Sequence, residues 1–211
     1  IFVKIQIFME ATYIETQQIS FQDFKKNVLE DYKLGRISRE MSYLGRREVL
    51  TGKAKFGIFG DGKELPQLAM AKVFKNGDFR SGYYRDQTFS LVIGAVTVES
   101  FFAQLYADTS VEREPASAGR QMNGHYATRS LNEDGTWKNL MQQKNISSDI
   151  SPTAGQMPRL LGLAQASNIY KSVKFEGSEK FSDNGNEIAF GTIGDASTAE
   201  GHFWETLNAA C

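Results

Sequence analysis

An aspartate that directly follows an apolar run is the strongest candidate for chemistry in this sequence. The segment NEIAFGTIGDAS predicts a buried strand that runs into a tight turn, with Asp195 between Gly194 and the small residues Ala196 and Ser197. Ligands of open α/β sheets lie beyond the carboxyl ends of the strands, and carboxylates are preferred ligands of Mg²⁺. The pattern is therefore typical of a magnesium ion that bridges to a phosphate, whereas Gly-Asp taken alone is more often a plain turn.

Two further segments carry side chains suited to such a ligand. Arg85 follows the aromatic pair Tyr83 and Tyr84 at the end of an extended segment, and arginine is the natural partner of a pair of phosphate oxygens. The alternative for Arg85 is a surface ion pair with a nearby carboxylate. His125 lies in the polar loop GRQMNGHYATR, and we prefer a functional role for it. We expect His202, in the last helix, to pack or to face solvent.

A glycine-rich segment matches a phosphate-binding loop only in part. Residues 57–63 fit the pattern G-x-x-x-x-G-K, but Glu64 stands where the motif needs Ser or Thr for the magnesium ion. A carboxylate at that position would also repel bound phosphates, and no strong strand precedes the segment. We therefore interpret it as a glycine turn before a helix.

The elements that must position these residues alternate between helices and short extended pieces, which favours an α/β fold over an all-β one. Ser20 and Asp23 form a capping-box pattern for a first helix that ends at Gly35, and a second helix is predicted over residues 37–49. The other predicted elements are a strand or extended segment in FRSGYYRD and helices in LPQLAMAKVF, TVESFFAQLYAD (with Thr97 as cap), SPTAGQMPRLLGLAQASNIY and AEGHFWETLNAA.

A long polar segment, residues 108–150, shows little periodicity, which is typical of a functional loop or of disorder. It places Arg120, Gln121, His125 and Tyr126 close together in sequence. We therefore prefer a functional loop.

The composition argues against several classes of protein. A chain of 211 residues with 41% hydrophobic and 23% charged residues is typical of a globular protein. The 24 basic and 25 acidic residues give a net charge of -1 without a sustained basic run, so we do not expect nucleic acid binding. The single cysteine, Cys211, excludes an internal disulfide framework and makes a reducing cytoplasm the expected location. The apolar opening IFVKIQIFME is too short to span a membrane and lacks the pattern of a cleavable signal.

Six segments together resemble a known family. In chain order they are GKELPQLAMA, GDFRSGYYRDQ, ESFFAQLYA, AGRQMNGHYA, SPTAGQMPRLLGLAQA and GDASTAEGHFWETLNAA. They resemble the α part of the E1 component of thiamine-diphosphate-dependent 2-oxo acid dehydrogenase complexes. The resemblance runs from about Phe56 to Cys211, and six segments in the family's order are far more specific than any one of them.

The resemblance implies a thiamine-diphosphate-binding fold of the α/β class, with a parallel sheet flanked by helices. Residues 1–50 would form an N-terminal extension and helices, and residues 51–211 the first part of the cofactor-binding domain. The chain begins without Met and ends without a helix-stop signal, so we expect a fold truncated at its C-terminus. The next magnesium ligand, an asparagine, would then lie beyond Cys211. We expect such a fragment to be inactive alone.

The resemblance also assigns roles to residues of the turn and the tyrosine-arginine segment. Asp195 matches the first magnesium ligand, and Gly194, Ala196 and Ser197 match the turn around the diphosphate, with Ala196 in place of a glycine. Tyr84 and Arg85 match, by the same resemblance, the cofactor-contacting tyrosine and the diphosphate-binding arginine.

Three assignments fall on the two loops between these segments. Ser151 and Thr153 match positions that support the thiamine, with Thr153 in place of an apolar residue. His125 matches a histidine near the substrate entrance and is the catalytic candidate. Some relatives bind a structural potassium ion around SPTAGQ, but Gly155 replaces a hydroxyl ligand, so we do not expect that ion.

The activity implied by the resemblance is oxidative decarboxylation of a 2-oxo acid, with transfer of the acyl group to a lipoyl-bearing E2 acyltransferase. An E1 β part, separate or fused, would supply the activating glutamate, in a dimer or an α2β2-type assembly. The choice between pyruvate and branched-chain 2-oxo acids stays open. So do two other functions: another thiamine enzyme, acetoin-cleaving or transketolase-like, and a non-catalytic α/β domain that binds a nucleotide or a partner through the glycine turn at residues 60–62.

Overall fold

Three short parallel strands form the centre of the molecule, and helices pack around them. The computed structural model describes residues 19–211, so the apolar opening IFVKIQIFME lies outside the described residues. The helices are α1 (Phe21–Leu50), α2 (Glu64–Val73), α3 (Gln87–Val92), α4 (Val98–Leu105), α5 (Gln156–Ser172) and α6 (Gly201–Ala210). The strands are β1 (Phe79–Arg80), β2 (Asn145–Ile146) and β3 (Ala189–Phe190), and 3₁₀ segments cover Leu140–Gln142, Ser178–Lys180 and Asp195–Ala199.

Strand β1 is central and runs parallel to both neighbours, in the order β2-β1-β3. Arg80 lies opposite Ile146 on one side and Phe190 on the other. Parallel neighbours need long crossover connections. Here α3, α4 and the polar loop connect β1 to β2, and α5 lies in the connection from β2 to β3. The predicted α/β class with a parallel sheet is therefore confirmed.

Helix α1 corrects one expectation from the sequence. Ser20 caps it as predicted, since its Oγ accepts the N–H of Asp23 at 3.1 Å. However, the helix continues through Gly35 and ends only at Leu50, so the predicted break is wrong. A Cβ built on Gly35 would lie 3.4 Å from a methyl of Leu68 in α2. The glycine therefore lies at a close helix contact, and packing outweighs its cost of about 1 kcal/mol within a helix. Within residues 19–211, no helix is both long and apolar enough to cross a membrane.

Most other helices lie where their periodicity predicts them. Thr97 caps α4 in a capping box with Ser100, and α2, α5 and α6 match their predicted segments. Helix α3 was not predicted, because Gln87–Ser90 is buried throughout and shows no alternation of polar and apolar faces. The strand expected to be buried at β3 is only half-buried, whereas β2, at the other edge of the sheet, is buried.

The polar segment 108–150 is folded, as the preferred interpretation expects. It contains β2 and a buried Glu114, whose carboxylate accepts the N–H groups of Ser117 and Gly119 at 2.9 Å each. Hydrogen bonds to a buried carboxylate compensate the loss of its hydration. These internal bonds, together with the buried side chains of Tyr126, Leu140 and Ile146, give the loop a defined shape.

The glycine turn before α2 is closed by a salt bridge. The Glu64 carboxylate accepts from the Arg39 guanidinium at 2.6 and 2.7 Å, and from the N–H of Gly62 at 3.1 Å. The Arg39 hydrogen bond holds the pKa of Glu64 below its usual range, against the opposing effect of burial. The glycine N–H that a phosphate would need is thus already engaged, in agreement with a plain turn.

A buried arginine occupies the middle of the sheet. The Arg80 guanidinium is 0% exposed and contacts the Asp86 carboxylate at 2.6 Å and the Asp149 carboxylate at 3.1 Å. Burial acts to lower the pKa of Arg80, but attraction by Asp149 and Asp86 outweighs it and raises the pKa. Gly82 is required beside it, because a Cβ there would lie 2.3 Å from an Arg80 nitrogen.

We expect Arg80→Met to lower the free energy of unfolding by about 3–5 kcal/mol, because it leaves two carboxylates buried without their cation. Urea denaturation followed by circular dichroism measures the change. Arg36→Met is the matched control, since Arg36 pairs with Glu40 on the exposed surface of α1, and we expect a much smaller loss there. Equal losses in the two variants would contradict a stabilising role for the buried network.

Candidate cofactor site at the carboxyl edge of the sheet

The carboxyl ends of the three parallel strands meet at one edge of the sheet, and the predicted site residues follow them in the chain. Strand β1 leads to Tyr84 and Arg85, β2 leads to Ser151, and β3 leads to Asp195. Side chains far apart in sequence therefore come from neighbouring loops. This edge is where open α/β sheets bind their ligands.

Three of the predicted residues are in direct contact. The rings of Tyr84 and His125 are stacked, with centroids 6.0 Å apart and an angle of 28°. The His125 Nδ1 lies 3.0 Å from the carbonyl oxygen of Met122, so Nδ1 carries the proton. Nε2 is then free to accept the hydroxyl of Ser151 at 2.9 Å. His125 is buried and Ser151 is exposed, so the hydroxyl stands between the imidazole and solvent.

Arg85 also contacts Tyr84, with its guanidinium carbon 5.3 Å from the centre of that ring. Among residues 19–211 it forms no salt bridge, so the alternative of a surface ion pair does not hold for the described chain. Burial raises the pKa of the adjacent Tyr83 hydroxyl and Asp86 raises it further, whereas Arg85 opposes both. A guanidinium has five N–H donors, so beside the Tyr83 hydroxyl, and with no ion-pair partner among residues 19–211, Arg85 retains donors for an anionic ligand.

The Gly-Asp turn opens the 3₁₀ segment Asp195–Ala199. The N–H of Ser197 donates to the carbonyl oxygen of Gly194 at 3.0 Å and closes the turn. Ser197 is buried, whereas Asp195 and Ala196 are exposed. A Cβ built on Gly194 would lie 4.0 Å from the ring of Tyr83, so the turn lies beside the loop that carries Arg85.

Thr153 contacts His202 in α6 through its backbone. Its side chain is exposed, and within the described part of the chain no hydrogen bond joins it to them. Its carbonyl oxygen lies 2.7 Å from Nε2 of His202. His202, which we expected to pack or to face solvent, therefore contacts this loop instead.

Sequence reasoning missed the residues that hold the loops in place. Asp149 accepts from Arg80 through one oxygen and from the N–H of Tyr126 through the other, at 3.1 Å each. Asp86 accepts from Arg80 and from the hydroxyl of Thr192. Both carboxylates lie within two residues of a predicted site residue, but nothing in their local sequence shows that they are buried.

Asp195 is a single hard oxygen donor. Within residues 19–211 no three His, Cys, Asp or Glu side chains are grouped as a protein-built metal centre requires. Mg²⁺ commonly uses one or two carboxylates and takes its other ligands from phosphates and water. The two loops at this edge carry an exposed carboxylate, Asp195, and a guanidinium, Arg85, which has no ion-pair partner among residues 19–211. These donor types fit a magnesium-bound diphosphate.

Comparisons with known proteins agree with the resemblance. The family model of the dehydrogenase E1 component matches residues 32–211, which include all predicted site residues. The 2-oxoisovalerate dehydrogenase subunit alpha of Bacillus subtilis (strain 168) is 29% identical over 177 residues, which are 83% of this chain and 43% of that protein. The chain thus spans less than half the length of this relative. It belongs to the dehydrogenase E1 component family.

Proposed function

We propose that this chain is the cofactor-binding α part of a 2-oxo acid dehydrogenase E1 component, with thiamine diphosphate and Mg²⁺ at the carboxyl edge of the sheet. The observation that supports it is the position of the Asp195 turn beside the loop that carries Arg85, whose guanidinium has no ion-pair partner among residues 19–211. Thiamine diphosphate, when bound, supplies an electron sink for the loss of carbon dioxide. The residues of this chain bind it, orient it and move protons.

Two charged side chains and a turn are the candidate partners of the diphosphate and its metal in this chain. Arg85 would bind two phosphate oxygens through its planar guanidinium, and Asp195 would hold Mg²⁺. The N–H groups of Asp195 and Ala196 begin the 3₁₀ segment, and the first N–H groups of a helix have no acceptor within it. Gly194 and Ser197 shape the turn that presents these groups.

The thiamine end of the cofactor would contact Tyr84, Ser151 and Thr153. Tyr84, stacked on His125, forms a wall of the site, and the two loop residues extend it. Because His125 is buried behind the Ser151 hydroxyl, a proton would reach Nε2 through that hydroxyl. His125 would thus exchange a proton with the substrate by way of Ser151.

The substrate and partners belong to the whole protein. The relative is named for 2-oxoisovalerate, so a branched-chain 2-oxo acid is the substrate to compare first with pyruvate. An E1 β part, separate or fused, would complete the site in a dimer or an α2β2-type assembly. A lipoyl-bearing E2 acyltransferase would accept the acyl group, and the single cysteine favours a cytoplasmic location.

The other candidate functions have less support. An acetoin-cleaving or transketolase-like enzyme would use the same Asp195 turn and would differ in its substrate. A nucleotide bound at residues 60–62 would compete with Glu64 for the N–H of Gly62. ATP binding that saturates without thiamine diphosphate would favour this last function.

We expect Asp195→Ala to abolish magnesium-dependent binding of thiamine diphosphate in the complete enzyme, because it removes the metal ligand. Titration calorimetry with and without Mg²⁺ measures the effect. Glu133→Ala is a suitable control, since Glu133 is an exposed carboxylate in the loop between β1 and β2. Normal affinity in the Asp195 variant would remove the basis of the assignment.

Arg85→Ala should weaken thiamine diphosphate binding by about 1.5–3 kcal/mol, the typical contribution of a charge-assisted hydrogen bond, or roughly 10- to 160-fold in Kd. Arg85→Lys should give an intermediate loss, because lysine keeps the charge but not the two-pronged geometry. Arg47→Ala, at an exposed position of α1, controls for the loss of a positive charge. An unchanged Kd in Arg85→Ala would place the diphosphate elsewhere.

A further inference from the structure

Thr192 connects the two loops that would hold the diphosphate. We propose that Thr192 is a positioning residue, which fixes the Asp195 turn relative to Arg85 by a hydrogen bond to Asp86. This inference rests on the proposed function, because it concerns the same site. The Thr192 hydroxyl would not bind the ligand itself, because it donates to the buried carboxylate of Asp86.

The connection runs through one carboxylate oxygen. The Thr192 hydroxyl donates to Oδ2 of Asp86, and the same oxygen accepts from Arg80 Nη2 at 2.6 Å and Nε at 3.0 Å. Asp86 is only 4% exposed. It directly follows Arg85, and Thr192 precedes Asp195 by three positions. One buried oxygen therefore joins the loop after β1 to the loop after β3.

The backbone of Thr192 is held as well. Its carbonyl oxygen accepts from the side-chain amide of Gln156 at 2.7 Å. The backbone carbonyl of Gln156 in turn accepts the Ser81 hydroxyl at 3.0 Å. With its carbonyl bound to α5 and its hydroxyl bound to Asp86, Thr192 has a defined orientation, and so has the chain that leads from it to Gly194.

The preceding residue shows how closely the two loops approach. A Cβ built on Gly191 would lie 2.5 Å from the carbonyl oxygen of Ser81, a distance that real Cβ atoms do not adopt. Glycine at 191 therefore lets the chain after β3 approach the chain after β1 closely, side by side. That approach brings the Thr192 hydroxyl within reach of Asp86.

Thr192 can be changed without removing the buried charge pair. Arg80 also binds the carbonyl oxygen of Tyr83 at 3.1 Å and the carboxylate of Asp149, so it stays paired when the threonine hydroxyl is lost. Thr192 itself is only half-buried. Its substitution should therefore loosen the Asp195 turn and leave the rest of the fold intact.

Hydrogen exchange of the full chain tests this directly, with no cofactor present. Thr192→Val removes the hydroxyl with little change in shape, and Thr192→Ser retains it. In Thr192→Val we expect roughly tenfold faster exchange of the Ser197 amide, whose N–H closes the turn onto the carbonyl oxygen of Gly194, the value for one lost hydrogen bond. Thr192→Ser should match the parent, and exchange in α4 should stay unchanged. Unaltered exchange of the Ser197 amide in Thr192→Val would overturn the inference.

Binding of thiamine diphosphate with Mg²⁺ provides the second readout. Thr192→Val should weaken it roughly tenfold and Thr192→Ser should restore it. The double variant Thr192→Val with Arg85→Ala provides a further test. Its loss of affinity for thiamine diphosphate should be smaller than the product of the two single losses, because Thr192 would act by positioning the turn relative to Arg85. Fully multiplicative losses would overturn the inference. A complete enzyme, with its E1 β part, that binds no thiamine diphosphate would instead refute the proposed function, and hydrogen exchange would still decide the role of Thr192.

Discussion

The charge of Arg80, buried at the centre of the sheet, determines how the loops around it are arranged. An arginine removed from water is tolerated only when carboxylates and carbonyl oxygens satisfy its donors. Asp86 comes from the loop after β1 and Asp149 from the loop after β2. Each must therefore turn inward to the same point. Since each strand is only two residues long, this electrostatic requirement, rather than the ladder of backbone hydrogen bonds, fixes the loops.

Each of these loops carries a carboxylate that binds Arg80 and, one or two positions away, a candidate ligand-binding residue. Asp86 faces the buried guanidinium, whereas Arg85 beside it lies over the ring of Tyr84 with no carboxylate partner among residues 19–211. In the next loop Asp149 is buried, and Ser151, two positions later, is exposed. Each carboxylate that binds Arg80 therefore fixes a loop that also carries a candidate ligand-binding residue.

The sequence predicted those parts of the fold that depend on local signals. Helix α4 has a cap at Thr97 and a clear apolar face, and both are observed. A glycine within a helical pattern is ambiguous from sequence, because it can end the helix or allow another helix to approach closely. For Gly35 only the observed contact with α2 shows that the second reason applies. Of the candidate site, motifs pointed to Arg85 and Asp195. The hydrogen bond from Thr192 to Asp86 spans 106 positions, and no local pattern encodes it.

A crystal structure of the complete enzyme with thiamine diphosphate and Mg²⁺ would show directly whether this edge of the sheet binds the cofactor. We expect the diphosphate between the Arg85 guanidinium and the turn at Gly194–Ser197, with an Asp195 carboxylate oxygen on the metal. We also expect the Arg80 network beneath to be unchanged. A cofactor bound at the glycine turn of residues 60–62, or a metal without Asp195 among its ligands, would contradict the proposed site.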